Sequence, residues 1–441
     1  MRLETPEQIR SLQKKLYLKA KAEPDFRFYL LYDKVWREDI LDHAYDLARV
    51  NGGAPGVDGM TFEAIEAAGV EEWLAGIRKE LRERTYRPDP VRRVMIPKPN
   101  GGERPLGIPT IRDRVVQTAV KLVIEPIFEA DLEPNAYGYR PKRSAGNAVA
   151  AVTDLLRRGY TDVVDADLTK YFDTIPHDQL MRSVARRIED KHILKLIKMW
   201  LKAPVEETDK DGRKRLTGGK RHKWGTPQGG VISPLLANLY MNRFLKYWRL
   251  TGQGHKLKAH VISYADDFVI LSRGCAEEAR AWAREIMSRL GLSLNETKTC
   301  LRDARKERFD FLGYSFGPHY FPKNGHRYLG ASPSKKSVNR LKPRISLILQ
   351  RGNKAPWDGV RNRLNRLLKG WSGYFNYGTC TQAYCAIDHH VEMRVRQFLV
   401  ERHRVSSRGT RRYASATVFG ELGVLRLRAR QAMRPQPCAS R

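Results

Sequence analysis

The sequence lacks the features that would place it in a membrane or in an oxidising compartment. No apolar run reaches the roughly 18 residues that suggest a membrane-spanning helix, and residues 1–7 lack the apolar core of a signal peptide. The 5 cysteines are widely spaced and include no Cys-x-x-Cys pair. We therefore expect a reduced, cytoplasmic protein that has no structural disulfide and does not contact a membrane.

Negative charge is also scarce. The 441 residues include 81 Lys and Arg but only 49 Asp and Glu, which gives a formal net charge of +32. Residues 331–441 alone hold 23 basic and 5 acidic residues, a net charge of +18. An excess of this size predicts a polyanionic partner, and nucleic acid is the commonest one.

Two adjacent aspartates stand at the end of an apolar run. Residues 261–264 and 268–271 read as two short strands on either side of a tight turn that contains Asp266 and Asp267. Two carboxylates at such a tip repel each other and are costly to bury unless a cation lies beside them. A divalent metal ion suits this environment, although an Asp-Asp step alone is often only a solvated turn.

A second acidic segment strengthens the metal interpretation. In residues 162–173, an apolar strand ends at Asp167 and is followed by an aromatic pair and Asp173. A third carboxylate on a neighbouring strand would complete a cage for two metal ions. In such a cage, one ion activates an attacking 3′-hydroxyl and the other holds the triphosphate and the leaving oxygen.

The Tyr-Ala-Asp-Asp and Asp-Leu-Thr-Lys-Tyr-Phe-Asp segments together resemble the palm of a reverse transcriptase. More narrowly, they resemble the reverse transcriptase–maturase proteins of bacterial group II introns, of the type without an endonuclease domain. The resemblance runs from about residue 10 to about residue 430. It implies an α+β right-hand polymerase whose palm has an antiparallel sheet. The implied domains are a helical extension and loop (1–60), fingers and palm (61–322), a helical thumb and maturase domain (323–403) and a basic nucleic-acid-binding tail (404–441).

The resemblance also implies a set of catalytic and nucleotide-binding residues. Two Mg²⁺ ions would be held by Asp167, Asp266, Asp267 and Leu168. Asp173 is expected to make local hydrogen bonds instead of binding metal. Lys298 would approach the triphosphate and protonate the leaving pyrophosphate, a role that suits a lysine with a depressed pKa, although it could equally be a plain surface lysine.

Further residues are expected to select the incoming nucleotide. Lys98 and Arg104 would hold the β and γ phosphates, unless they belong to a solvated basic hairpin. Phe172 lies five residues after Asp167, where the family places a bulky gate against a ribose 2′-hydroxyl; otherwise it is a core aromatic. Gln228, in a Gly/Pro-rich loop, would sense the sugar and the base pair.

Nucleic-acid contacts are implied for three further segments. Arg140 and Arg143, beside aromatics, would bind the template. Gly313 and Tyr314 resemble part of a primer grip, although the aromatics around them could equally pack against the palm. In the thumb an apolar stripe is expected to form core, while Arg361, Arg366 and Lys369 stand on other faces and would bind RNA.

The resulting interpretation is an RNA-directed DNA polymerase that uses dNTPs and also assists group II intron splicing and retrohoming. Its expected partners are group II intron RNA, an RNA template with a DNA primer, and target DNA. Two alternatives remain at this point: an RNA-binding splicing factor with a vestigial polymerase, and a stand-alone reverse transcriptase in phage defence or a CRISPR locus.

Overall fold

The structure is a computed structural model that describes residues 3–97, 102–209, 211–219, 222–321 and 324–432. The helices are α1 (Glu7–Ala22), α2 (Tyr32–Val35), α3 (Glu38–Asn51), α4 (Phe62–Ala68), α5 (Val70–Arg82), α6 (Ile111–Glu129), α7 (Ala145–Arg157), α8 (Tyr171–Thr174), α9 (His177–Ala185), α10 (Lys191–Leu201), α11 (Ser233–Leu250), α12 (Gln253–Lys256), α13 (Ala276–Arg289), α14 (Lys335–Ile348), α15 (Trp357–Tyr374), α16 (Thr381–Arg402) and α17 (Leu427–Ala432). No helix in these residues is long and apolar enough to cross a membrane.

The strands form three separate sheets. They are β1 (Val91–Pro97), β2 (Glu103–Ile108), β3 (Asp162–Asp167), β4 (Pro204–Thr208), β5 (Lys214–Gly218), β6 (Ala259–Tyr264), β7 (Asp267–Ser272), β8 (Cys300–Asp303), β9 (Phe309–Phe311), β10 (Tyr314–Tyr320) and β11 (Arg327–Pro333). Their orders are β2-β1-β4-β5 in the fingers, β6-β7-β3-β8 in the palm, and β11-β10-β9 beside the thumb. The predicted α+β class with an antiparallel palm sheet is confirmed.

The palm sheet is apolar because helices cover one face and a second cluster covers the other. Val164 and Ile270 enter the main core with α6 and α11, whereas Val163 and Val269 face the cluster of α7 and the third sheet. All four side chains are fully buried. A strand that buries both faces favours continuous apolar residues over strict alternation, and this explains the runs seen in the sequence.

The thumb has a core of its own. Its apolar stripe, Val360, Leu364 and Leu368, is completely buried among α14, α15 and α16. Within the predicted thumb and maturase domain (323–403), the helical part begins only after β11 and consists of three helices between Lys335 and Arg402.

The predicted tail boundary at residue 404 is wrong for the described part of the tail. Val418, Val424 and Leu427 are buried in the thumb core, and the backbone N–H of Leu427 donates to Asp388 Oδ1 at 2.8 Å. The chain therefore continues the thumb beyond α16 through a π-helical turn, Thr417–Glu421, and α17.

Candidate active site

The three aspartates predicted to bind metal lie at one end of the palm sheet. Asp167, the last residue of β3, is paired directly with Asp267, the first residue of β7. Between β6 and β7 stand Ala265, whose φ is 59°, and Asp266. Gly138 packs so closely against this turn that a Cβ there would lie 2.5 Å from the Ala265 nitrogen. A side chain at position 138 would therefore displace the turn that carries the aspartates.

A loop after α13 holds Asp167 in place. The Asn295 backbone N–H donates to the Asp167 carbonyl at 2.8 Å, and its side-chain amide reaches Oδ2 at 3.3 Å. Lys298 Nζ donates to the same Oδ2 at 2.9 Å. This hydrogen bond raises the pKa of Lys298, which is the opposite direction from the depressed pKa that would suit a proton donor.

The ionised forms of Asp266 and Asp267 are disfavoured by their surroundings. Desolvation by the surrounding protein, together with Asp266, Asp167 and Asp165, raises the pKa of the Asp267 carboxyl to about 7. Desolvation also raises the pKa of Asp266, and Asp167 adds to the effect. Asp267 is nevertheless exposed to solvent. Close, solvent-accessible carboxylates with raised pKa values form an environment that a divalent cation would relieve.

The donor chemistry of the three aspartates fits a hard divalent cation, but their present arrangement is not a closed cage. Within the described residues, no three His, Cys, Asp or Glu side chains converge closely enough to hold a metal ion. Asp167 is directed to Lys298 instead. Leu168 follows it with a buried side chain and an isolated bridge to Leu294. A metal ion at Oδ2 of Asp167 would therefore compete with the Lys298 ammonium.

A pocket of about 290 Å³ is lined mainly by the fingers sheet, by Lys170 and Asp173 of the segment that follows β3, and by the loop 225–228. Gln228 lines it, and its side-chain amide is 3.3 and 3.4 Å from the two carboxylate oxygens of Asp173. Asp173 thus accepts a hydrogen bond from a residue 55 positions away in the sequence. Gly107 N donates to the Gln228 carbonyl at 2.6 Å, which ties the fingers hairpin to this loop.

Phe172 lies on the same segment as Asp173. Its ring is half-buried, packs against the main core and meets Tyr171 edge-on at 5.7 Å. Its carbonyl accepts a hydrogen bond from Thr226 N at 2.7 Å. The ring therefore has one face in the core and leaves part of its surface exposed, which is compatible with both of its predicted roles.

Two basic residues of this pocket were not among the predicted site residues. Lys170 has a left-handed backbone (φ 46°) and an exposed side chain, and it lines the pocket with Gln228. Arg93 also lines it, in an ion pair with Glu207. Lys170 could have been found from its motif, because it lies between Asp167 and Phe172. Arg93 carried no distinguishing signal.

The fingers hairpin β1–β2 brings Arg104 toward the catalytic turn. Arg104 is exposed, and its positive charge lowers the pKa values of Asp266 and Tyr139 against larger opposing effects of desolvation. Tyr139 is a further residue that the sequence did not single out: its ring centroid lies 6.5 Å from that of Tyr264. Lys98 lies outside the described residues.

The predicted template contact of Arg140 is wrong. Its guanidinium is buried and donates to Glu129 on one side and to the carbonyls of Glu133 and Ala136 on the other, at 2.6 to 3.1 Å. No part of it is left for a template phosphate. Arg143 is half-buried, stacks on Tyr137 at 5.2 Å and donates to the Pro134 carbonyl.

The predicted primer contact of the Tyr314 side chain is also wrong. Tyr314 is 1% exposed, and its hydroxyl donates to the Tyr374 carbonyl at 2.7 Å. Gly313 has φ 78°, and a Cβ there would meet Ser337 and Phe375. These residues dock the thumb on the palm, which agrees with the packing alternative.

The three predicted RNA-binding residues of the thumb differ in solvent exposure and in ion pairing. Arg366 and Lys369 are exposed on α15. Arg361 is half-buried and pairs with Asp358 at 3.0 Å. Its side chain also lies against Gly423, where a Cβ would be 3.3 Å from Arg361 Cδ. Arg366 and Lys369 are therefore the better candidates for phosphate contacts.

Comparison with known proteins agrees with this geometry. Residues 96–316 match the family "Reverse transcriptase (RNA-dependent DNA polymerase)", and residues 338–415 match "Group II intron, maturase-specific domain". The chain is 34% identical over 368 residues to protein YkfC of Escherichia coli, which covers 75% of this chain and 94% of the relative.

More distant relatives are longer than this chain. It is 30% identical to the group II intron-encoded protein LtrA of Lactococcus lactis, over 65% of this chain and 56% of LtrA. It is 27% identical to the putative COX1/OXI3 intron 1 protein of Saccharomyces cerevisiae, over 63% of this chain and 38% of that protein. Among solved structures, a chain of a partial Cas6-RT-Cas1–Cas2 complex matches with a TM-score of 0.34 and 20% identity, covering 58% of this chain and 42% of the other.

The fold and the cluster of aspartates define a right-hand nucleic-acid polymerase. The chain belongs to the group II intron-encoded reverse transcriptase–maturase family. It is an RNA-directed DNA polymerase joined to a maturase domain, and the reverse transcriptase family uses divalent metal ions.

Proposed function

We propose that the chain adds dNTPs to a primer 3′-hydroxyl on an RNA template with two Mg²⁺ ions, and that the same protein binds group II intron RNA and the DNA target of retrohoming. The observation that carries the polymerase proposal is the direct pairing of Asp167 with Asp267 beside Asp266. The three carboxylates stand on two neighbouring strands and the turn between β6 and β7, and Gln228 lines a pocket with Lys170 and Asp173 of the segment that follows β3.

In this proposal Asp167, Asp266 and Asp267 hold the metal ions together with Leu168. The ions would lower the pKa of the primer hydroxyl and stabilise charge on the triphosphate. Exchange of Lys298 for a metal ion at Asp167 Oδ2 would release the ammonium. From there Lys298 could donate its proton to the departing pyrophosphate. The primer oxygen bonds to the α-phosphorus as the bond to pyrophosphate breaks.

The pocket beside the carboxylates is proposed to select the nucleotide. Arg104, and Lys98 on the same hairpin, would bind the β and γ phosphates. The exposed part of the Phe172 ring would exclude a 2′-hydroxyl. The hydrogen bond to Asp173 holds the Gln228 amide at the pocket wall, where it would meet the base pair. The pocket also contains Lys170, whose exposed ammonium is a second candidate for a phosphate contact.

Two observations favour this proposal over the alternatives. A vestigial polymerase would gain stability by neutralising Asp266 and Asp267, whose pKa values are raised by desolvation and by neighbouring carboxylates, yet both are present together with Asp167. The match to the maturase-specific domain over residues 338–415 favours an intron RNA partner over a stand-alone polymerase of phage defence or a CRISPR locus. Arg366 and Lys369 on α15 are proposed contacts to that RNA.

The test is primer extension by the full chain on an RNA template with a DNA primer, beside a splicing assay with the intron RNA that flanks the gene. The expected result is template-length DNA with dNTPs and Mg²⁺, none with rNTPs, and none in excess EDTA. Splicing of the flanking intron should be faster with the protein than without it. Protein that binds RNA and promotes splicing but extends no primer would support the vestigial alternative and contradict the polymerase proposal.

A further inference from the structure

A groove of about 670 Å³ lies on the fingers side of the nucleotide pocket, and it is lined mainly by α9 and α10. Its apolar floor contains Met181, Leu194 and Leu201, and its rim carries Lys191, Lys195 and Lys198. We call it the lysine groove. The three rim lysines have no role in the polymerase site described above.

The three lysines form a stripe because of helical spacing. They are four and three residues apart, so they lie on one face of α10, while Ile193, Ile197 and other residues of the opposite face are buried. All three lysines are exposed. With a rise of about 1.5 Å per residue, the stripe covers about 10 Å along the helix axis.

This positive charge is not neutralised by neighbouring carboxylates. Asp178 lines the groove, and its nearest ion pair is with Arg182 at 3.9 Å. Asp190 precedes the stripe, but both of its oxygens accept backbone N–H groups, from His192 and Ile193 at the helix start and from Leu31 and Tyr32. No ion pair to Lys191, Lys195 or Lys198 occurs among the described residues.

The groove adjoins the nucleotide pocket. Leu201 and His222 line both cavities. The segment between them and Gln228 is fixed by His177, whose Nε2 lies 2.6 Å from the Gly225 carbonyl oxygen. The ring centroids of His177 and His222 are 5.5 Å apart, edge to face. A chain that leaves the nucleotide pocket past His222 would therefore enter the lysine groove.

We propose that the lysine groove binds the single-stranded RNA template before it reaches the nucleotide pocket. This inference rests on the proposed template-directed function. A stacked strand carries one phosphate per about 3.4 Å, so three phosphates match the length of the stripe. The lysines contact these phosphates, while bases lie on the apolar floor and against His222, which is exposed. An acidic peptide would satisfy the lysines but would not explain the continuity with the nucleotide pocket.

The test compares the full chain with the triple variant Lys191→Gln, Lys195→Gln, Lys198→Gln. Affinity is measured by filter binding across a salt series, without dNTPs, for a primer–template with a long 5′ template overhang and for one with an overhang of a single nucleotide. The triple variant should bind the long overhang on the order of 10-fold more weakly, with a log–log salt slope smaller by about 2. On the primer–template with the short overhang, the triple variant should match wild type in affinity and in the rate of single-nucleotide addition.

The matched control removes three lysines elsewhere, by Lys246→Gln, Lys256→Gln and Lys258→Gln. Lys256 and Lys258 precede β6, at the end of the palm sheet remote from the catalytic turn. This control should retain the wild-type preference for the long overhang. Equal affinities of wild type and the lysine-groove variant for the long overhang would overturn the proposal. So would an equal loss on both substrates, or an equal loss in the control variant.

Two further experiments distinguish RNA from an acidic protein as the occupant of the lysine groove. They also distinguish failure of the groove proposal from failure of the polymerase proposal. Crosslinks from 4-thiouridine in the template overhang should map to residues 177–202 or 222–223. In a separate competition experiment, a poly-glutamate peptide should displace no RNA from the protein. Competition by the peptide together with no crosslink there would assign the groove to an acidic protein and overturn the proposal. Absence of nucleotide addition by wild type, with overhang binding intact, would contradict the polymerase proposal and leave the groove proposal standing.

Discussion

Lys298 donates a hydrogen bond from Nζ to Oδ2 of Asp167 at 2.9 Å, and so joins the loop after α13 to the end of β3. The ammonium takes up one of the oxygens that a metal ion would need. The same contact keeps the lysine within reach of the strand end where the triphosphate is proposed to bind. The pair therefore links metal binding to the position of a proton donor.

The first prediction concerns this lysine. Lys298→Gln should lower the single-turnover rate at saturating dNTP on the order of 10²-fold, because the pyrophosphate loses its proton donor. Lys298→Arg keeps the positive charge near Asp167, but the arginine donates its proton poorly. Compared with Lys298→Gln, it should therefore improve dNTP binding more than it improves the rate. Lys256→Gln is the control. An unchanged rate in Lys298→Gln would make Lys298 a plain surface lysine.

The second prediction concerns stability without metal. Asp267→Asn should raise the Tm in EDTA, because it removes a carboxylate whose ionised form is disfavoured by desolvation and by Asp266 and Asp167. Addition of Mg²⁺ should raise the Tm of wild type but not that of the variant, since the ion stabilises the state that binds it. Asp211→Asn, in the exposed turn between β4 and β5, should behave as wild type. A lower Tm for Asp267→Asn in EDTA would contradict the electrostatic account.

A pH dependence follows from the same group. The pKa of Asp267 is about 7 in the folded chain, above the value of about 3.9 for an unperturbed aspartate. Between these two values the folded chain binds more protons than the unfolded chain, so this group makes wild-type stability fall as pH rises through that window. Thermal unfolding in EDTA at several pH values should show a smaller decline in Asp267→Asn. Equal declines would mean that Asp267 titrates normally.

The third prediction concerns the sugar gate. Phe172→Ala should raise the use of rNTPs relative to dNTPs, because removal of the ring relieves the clash with a 2′-hydroxyl. Competitive incorporation assays measure this ratio. Tyr320→Ala, at an exposed aromatic of β10, should leave it unchanged. If Phe172→Ala lowers stability while the ratio stays at the wild-type value, the ring is a packing residue.

The fourth prediction concerns the thumb. Arg366→Gln with Lys369→Gln should weaken intron RNA binding and flatten its log–log salt slope by about 0.7 to 0.9 per lost phosphate contact. Arg361→Gln should change the slope less, because Arg361 is half-buried and paired with Asp358. Nucleotide addition at saturating primer–template should persist in both variants. An unchanged slope in the double variant would direct the search for the RNA site to residues 1–60 and 206–223.

The sequence predicts the catalytic turn well because the signal is local. An apolar strand, a two-residue turn and a second apolar strand fix the hairpin, and the Asp pair then stands at its tip. The pairing of Asp167 with Asp267 needed the family resemblance, because register between strands 100 residues apart is not visible in composition or spacing.

The errors concern contacts that sequence patterns do not encode. Arg140 was predicted to contact the template because its ion pair with Glu129 could not be seen in the sequence. Glu129 lies at the end of α6, and only the fold brings the two side chains together. Tyr314 looked like a primer contact because the docking of α15 on β10 cannot be read from either segment. The burial of Val418, Val424 and Leu427 in the thumb core could not be predicted from the basic tail sequence. These residues follow no single helical period, because turns and a π-helical segment lie between them.

The most direct test of the central claim is primer extension on an RNA template by Asp266→Asn, measured beside RNA affinity and beside the control Asp211→Asn. Asp266 is proposed to act on charge that develops in the transition state, so its loss should abolish extension while affinity for the primer–template stays nearly unchanged. The control should extend the primer at the wild-type rate. Extension by Asp266→Asn at the wild-type rate in Mg²⁺ would contradict the assignment of these aspartates as the catalytic centre.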